Sequence, residues 1–268
     1  MKLDLSGGIA DLIETGSGND TIILVHGTAS SPRAMGKLAA ALAGAGWRVL
    51  APAMIGYGAS VMAGDDGVVA RNARLLRGLR ASLGYGQVVV IGHSMGGLVV
   101  LLALRAGMEA DAVVLYEPVA FGVLDPADPA QHAARAWDAN VVAEMAARIA
   151  DGDTEAGVRH FIEAWNGQAW TDMPAPVRAA LVASGPVLLT DVVSISADTT
   201  GADAYRALAT PILILSGTAS PPTARMVCDV LAAAMPRADH VTLDNVGHMA
   251  PVQQPGPVAE AVLAFLGD

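Results

Sequence analysis

Residues 88–104, VVVIGHSMGGLVVLLAL, form the longest apolar stretch of the chain, and their reading decides the fold. The run is nearly long enough to span a bilayer. Yet Gly92, His93, Ser94, Gly96 and Gly97 stand in its middle, where a spanning helix has no use for them. A strand, a turn of about one residue and a helix account for the pattern better. Such a turn forces Ser94 into a strained backbone conformation, and the residues two before and two after it must be small. Gly92 and Gly96 meet that need, and Gly97 lets the new helix pack close to the strand.

The turn makes chemical sense of the serine. A hydroxyl is a poor nucleophile at neutral pH and must be held open to a base and a substrate. A helix starting just after Ser94 also places the Met95 N–H, at the positive end of the helix dipole, where an oxyanion would form. His26-Gly27-Thr28 ends an earlier apolar run, and a glycine there lets the Thr28 N–H face Ser94. Two such amides would make an oxyanion hole, each donor worth ~3 kcal/mol. His26 itself reads as a packed structural residue.

Outward from this segment the chain alternates. TIILVH (21–26), WRVLAP (47–52), QVVVIG (87–92), AVVLYE (112–117), PILILS (211–216) and HVTLD (240–244) have strand length and β-branched enrichment. Several are apolar at successive residues, as parallel strands covered on both faces should be. Helical patterns lie between them, so the class is α/β, with a mostly parallel central sheet flanked by helices. Residues 122–205 break the rhythm. They hold helical patterns, punctuated by Pro174, Pro176 and Pro186, and no convincing strand, although VLLTDVVSIS (187–196) is ambiguous. The interval is too long for a loop. The expected organisation is a core of residues 1–121 and 206–268 with a helical lid, 122–205, inserted between AVVLYE and PILILS.

Composition narrows the function. The chain has 268 residues, 53% hydrophobic and 16% charged, and a net charge of −10. Phosphate backbones need clustered Lys and Arg, so nucleic acid is not an expected partner. No basic run suggests an anionic membrane, and the N-terminal stretch lacks the apolar core of a signal peptide. One cysteine, Cys228, fits a reducing cytoplasm and reads as a bland thiol. The histidines lack the pairings of a zinc site, and no GxGxxG follows the first strand, so neither a metal nor a dinucleotide cofactor is expected.

His26-Gly27-Thr28, GYGAS (56–60), GHSMGG (92–97) and NVGHMAPVQQP (245–255) together resemble the serine hydrolases of the α/β-hydrolase fold. The resemblance covers the core, and the insert matches only in position and helical character. It implies Ser94 as nucleophile and His248 as general base. The late position of His248, on a glycine-containing loop after the last strand, agrees with the order serine, acid, histidine. His93 lies inside the turn and is expected to face away from the pocket. His132 and His160 fall in the insert, and His240 begins a strand.

The acid is the anomaly. In most members a carboxylate stands near Ser220, but from Ala204 to Cys228 the chain contains no Asp or Glu. Asp229 lies too far along the following helix. Glu117 ends a wholly apolar strand at the edge that presents Ser94, and an unpaired buried charge there would be costly. Some haloalkane dehalogenase relatives take their acid from this strand, the sixth-strand position, which implies the same role for Glu117. A serine in place of their aspartate nucleophile argues against halide or epoxide chemistry. A purely structural Glu117 that hydrogen-bonds backbone amides is the competing reading. Asp244, four residues before His248, is a further candidate, with Asp191 and Asp198 more remote.

The expected activity is cofactor-free hydrolysis of a small, fairly apolar carboxylic ester or related acyl compound. The lid would roof the pocket, and Trp137, Trp165 and Trp170 with Phe121 and Phe161 suit an apolar group. Thioester, lactone, amide and carbon–carbon hydrolysis share the same attack on a carbonyl, and acyl transfer differs only in the acceptor. A non-catalytic small-molecule binder on the same scaffold is the rival from another class.

Overall fold

The computed structural model describes residues 1–84 and 86–267. Strands β3 (Thr21–Val25), β6 (Val88–His93), β7 (Ala112–Tyr116) and β8 (Ile212–Gly217) are buried at every residue, and β4 (Arg48–Pro52) at all but its first. Successive side chains point to opposite faces, so a strand apolar throughout must be covered on both. Ile23 and Val25 join one core with Val90, Leu115 and Ile214, while Ile22 and Leu24 join a second with Ile91, Val114 and Leu215.

Helices α2 (Val68–Ala81), α3 (Met95–Arg105) and α8 (Pro222–Ala234) cover the first face through Leu76, Leu98 and Val227. Helices α1 (Gly36–Gly44) and α9 (Pro255–Leu266) cover the second through Leu38, Leu42 and Val262. With β9 (Ala238–Leu243), the parallel part of the sheet runs in the order β4-β3-β6-β7-β8-β9.

The sheet extends beyond the sequence reading at one edge. Strands β1 (Lys2–Leu5) and β2 (Gly8–Thr15) form an antiparallel hairpin whose β2 pairs antiparallel with β4, and the short β5 (Val61–Met62) pairs with β2. Gly7, at φ +83°, supplies the left-handed turn residue.

Between β7 and β8 stand helices α4 (Pro129–Ala150), α5 (Thr154–Asn166), α6 (Ala175–Ala183) and α7 (Gly185–Ser196). The Asp128 carboxylate caps α4 by accepting from the Ala130 and Gln131 amides, with Pro129 at the first helical position. The ambiguous stretch 187–196 is helical. Its buried Leu188, Val192 and Ile195 recur at helical spacing, and this one-sided burial outweighs the strand preference of its β-branched residues. Among the described residues no single helix is long and apolar enough to cross a membrane.

Candidate active site

Parallel strands end at one edge of the sheet, so the loops that follow them collect there whatever their separation in sequence. Ser94 follows β6 with φ 55° and ψ −120°, in a region that costs an L-residue about 1–3 kcal/mol. The surroundings hold it there. Its N–H donates to the Tyr116 carbonyl at 3.0 Å, and its carbonyl accepts from the Gly97 amide at 2.9 Å. A Cβ on Gly92 would stand 2.6 Å from the Gly96 carbonyl oxygen, and one on Gly96 2.4 Å from that of Val25. The spacing of small residues around Ser94 is therefore a steric requirement.

Glu117 follows β7 and is also strained, with φ 44°, and fully buried. Both carboxylate oxygens are engaged. Oε1 accepts from the Gly217 amide at 2.7 Å, and Oε2 accepts from His248 Nδ1 at 2.7 Å. With its proton on Nδ1, His248 keeps a lone pair on Nε2. Gly217 cannot be replaced freely: a Cβ there would lie 2.1 Å from the Val246 carbonyl oxygen, on the loop that carries His248.

That loop is pinned from below. Tyr116 Oη donates to the Gly247 carbonyl at 2.8 Å, and His93 Nε2 donates to the His248 carbonyl at 2.9 Å. The His248 ring, 5% exposed, packs between Trp165 and His93, with centroids 4.8 and 5.0 Å away. His93 thus does not face away from the pocket, as its place in the turn suggested; it lines the same cavity as Ser94 and His248. Burial and the neighbouring His248 ring push its pKa well down, so the ring is neutral. Ser94 Oγ opens onto this cavity and makes no hydrogen bond to any described residue.

The other carboxylates considered for His248 lie elsewhere. Asp244 is exposed, and Asp229 pairs with His240 at 3.1 Å. Ser220 is buried with its hydroxyl unpartnered. Asp191, on α7, is fully buried against the loop after β3. Its Oδ2 accepts from Thr28 Oγ1 at 2.5 Å and from Tyr57 Oη at 2.7 Å, and Tyr57 Oη accepts from the Ala29 amide at 2.8 Å. Burial raises the Asp191 carboxyl to about 6, against the pull of these two donors. The cluster fixes the strained loop at Thr28 and Ala29, the latter at φ 50°. His26 secures the other side: its Nδ1 donates to the Gly27 carbonyl at 2.7 Å and its Nε2 accepts from the Met54 amide at 3.0 Å. Burial lowers its pKa to about 4. Among the described residues no acceptor meets the backbone N–H of Thr28 or Met95.

A cavity of about 250 Å³ lies over Ser94 and His248, between the strand ends and α4–α7, and takes part of its wall from Phe121, Phe161, Trp165 and Met173. No group of three His, Cys, Asp or Glu side chains among the described residues is placed to hold a metal ion. Cys228 is fully buried, and burial pushes its thiol well above the ordinary range.

A family model described as the alpha/beta hydrolase family matches residues 22–261. The chain belongs to the alpha/beta hydrolase family. Lipase LipV of Mycobacterium tuberculosis is 28% identical over 274 residues, covering 94% of this chain and 95% of the lipase. A 2-hydroxy-6-oxononadienedioate/2-hydroxy-6-oxononatrienedioate hydrolase of Burkholderia vietnamiensis is 37% identical over 95 residues, a match that spans only 31% of either chain. Among solved structures, a thermophilic esterase of Thermogutta terrifontis superposes with a TM-score of 0.77 at 20% identity, covering 99% of this chain and 98% of the esterase, which is a likeness of fold.

Within this alpha/beta hydrolase, Ser94, Glu117, His248 and Thr28 come from four separate strand ends; Ser94, His248 and Thr28 line one cavity, and Glu117 lies buried behind His248. Sequence reading missed Tyr57 and the true partners of Asp191. GYGAS marked a turn without showing that its tyrosine reaches Thr28, and Asp191 sits 163 residues from the threonine it binds.

Proposed function

We propose that the chain is a serine hydrolase of small, largely apolar carboxylic esters, working through an acyl-enzyme. Ser94 Oγ attacks the ester carbonyl while His248 Nε2 takes its proton, and Glu117 stabilises the imidazolium and holds the ring in the receptive tautomer. The negative charge on the tetrahedral oxygen falls to the Thr28 and Met95 amides, which have no competing acceptor. His248 then protonates the leaving alcohol, and the acyl group stays on Ser94. Water, deprotonated by His248, attacks the acyl carbon, releases the acid and restores the Ser94 hydroxyl.

The observation that carries this reading is the 2.7 Å contact of Glu117 Oε2 with His248 Nδ1, made by a fully buried carboxylate that pairs with no Lys or Arg among the described residues. The alternative in which Glu117 only braces backbone amides accounts for Oε1 and leaves Oε2 unexplained. A fluorophosphonate probe tests the proposal: covalent labelling that disappears in Ser94→Ala is expected, and folded protein that takes no label would refute it. It would favour a non-catalytic binder.

Carbon–carbon hydrolysis is the second reading, favoured by the partial match to the dienedioate hydrolase. Against it, the cavity wall holds no Lys or Arg among the described residues to receive a substrate carboxylate and does hold Asp138. Ester cleavage suits this lining better.

A further inference from the structure

The wall of the cavity carries a group that the hydrolytic steps do not use. Asp138 lies inside α4, on its buried side, and is only 6% exposed. No hydrogen bond or ion pair from any described residue reaches its carboxyl. Burial alone pushes that carboxyl up to about 7. The cavity that it lines is also lined by Val142, Phe161, Ile162 and Trp165. Trp165, another lining residue, has a buried Nε1 that is also without a partner.

A buried carboxyl without a partner costs several kcal/mol, and aspartate is a poor residue for a helix interior. The other buried acids among the described residues each have donors: Glu117 takes Gly217 and His248 on its two oxygens, and Asp191 takes Thr28 and Tyr57 on Oδ2, although its Oδ1 is unpartnered. Asp138 faces a space that a ligand fills, so the missing partner is a donor brought by the ligand.

We infer that Asp138 is a specificity-determining residue that accepts a hydrogen bond from a hydroxyl or ammonium group of the substrate, so that preferred esters are apolar chains bearing one donor. This inference rests on the hydrolase reading for its assay but not for its geometry. A carboxyl recognising a donor rejects the plain analogue because the acid is then left unpaired, whereas a leucine there would favour it.

The test uses 4-nitrophenyl esters of hexanoic and octanoic acids, each plain, ω-hydroxylated and ω-ammonio-substituted. The wild-type chain is expected to prefer a donor-bearing ester over its plain partner by at least about tenfold in kcat/KM, and Asp138→Leu to lose or reverse that ratio. Asp138→Asn, which keeps an acceptor without charge, separates the two donors. Retained preference identifies a hydroxyl, and lost preference identifies an ammonium. The same selectivity ratios in wild type and Asp138→Leu would overturn the assignment. So would Asp138→Leu melting several degrees lower with unchanged selectivity, which would mark a structural residue. Calorimetric titration of the esters into Ser94→Ala and Ser94→Ala/Asp138→Leu reads the same ratio without turnover. Donor preference there, with no hydrolysis by the wild-type chain, would overturn the hydrolase reading and leave the Asp138 site standing.

Discussion

Replacing Glu117 by glutamine changes one atom and should remove most of the activity. The Gly217 amide donates to one oxygen at 2.7 Å, and His248 Nδ1 donates to the other at 2.7 Å. A glutamine has one carbonyl and one amide end. The buried Gly217 N–H needs an acceptor, so the side-chain carbonyl turns to it and the NH₂ group turns to His248. Nδ1 must then accept, the ring proton moves to Nε2, and the nitrogen facing Ser94 can no longer take a proton. In a serine protease the corresponding change of acid to amide lowers kcat by about 10⁴, equivalent to ~5.5 kcal/mol of transition-state stabilisation. Both hydrogen bonds survive in the amide, so the melting temperature should change by only a few degrees. The assay is kcat on a 4-nitrophenyl ester, with circular dichroism to verify the fold. A folded Glu117→Gln chain within tenfold of wild-type kcat would refute the tautomer argument. Adding Ser220→Asp to that variant places a carboxylate at the position most relatives use. Recovered turnover would show that the two strand ends are alternative sources of one charge.

Three further outcomes are expected. Gly217→Ala forces a Cβ against the Val246 carbonyl oxygen and should destabilise the chain by about 2–4 kcal/mol in urea unfolding, with a loss of kcat because the donor to Glu117 moves. His26, with its pKa lowered from 6.5 to about 4, contributes stability that is present above pH 6.5 and lost as the pH falls through 4; the gap corresponds to ~3 kcal/mol, and His26→Gln should flatten the fall in melting temperature over that window. Asp191 has the opposite sign. Its carboxyl is raised from 3.8 to about 6, so its contribution is fully present below pH 3.8 and lost as the pH rises through 6. The stability of Asp191→Asn relative to wild type should therefore improve by ~3 kcal/mol between those limits, measured by thermal unfolding in matched buffers.

Local pattern in the sequence sufficed for the α/β class, the largely apolar strands of the parallel sheet and the turn at Ser94. Continuous β-branched runs require two covered faces, and Gly-His-Ser-Met-Gly leaves room for a serine at positive φ. Glu117 was legible for a related reason: a carboxylate closing an apolar strand needs a partner, and His248 was the candidate that chain order left open. The β1–β2 hairpin escaped because its strands are half exposed and carry no continuous apolar run, so their pairing depends on the free edge of β4. Stretch 187–196 was ambiguous because its β-branched residues and its helical spacing pointed in opposite directions until burial chose between them. Only long-range packing shows that His93 supports the His248 carbonyl, that Asp191 holds Thr28 across 163 residues, and that Asp138 faces the cavity without a partner among the described residues. Contacts between distant elements depend on where the sheet and helices set each backbone, and no local pattern of residues encodes that placement.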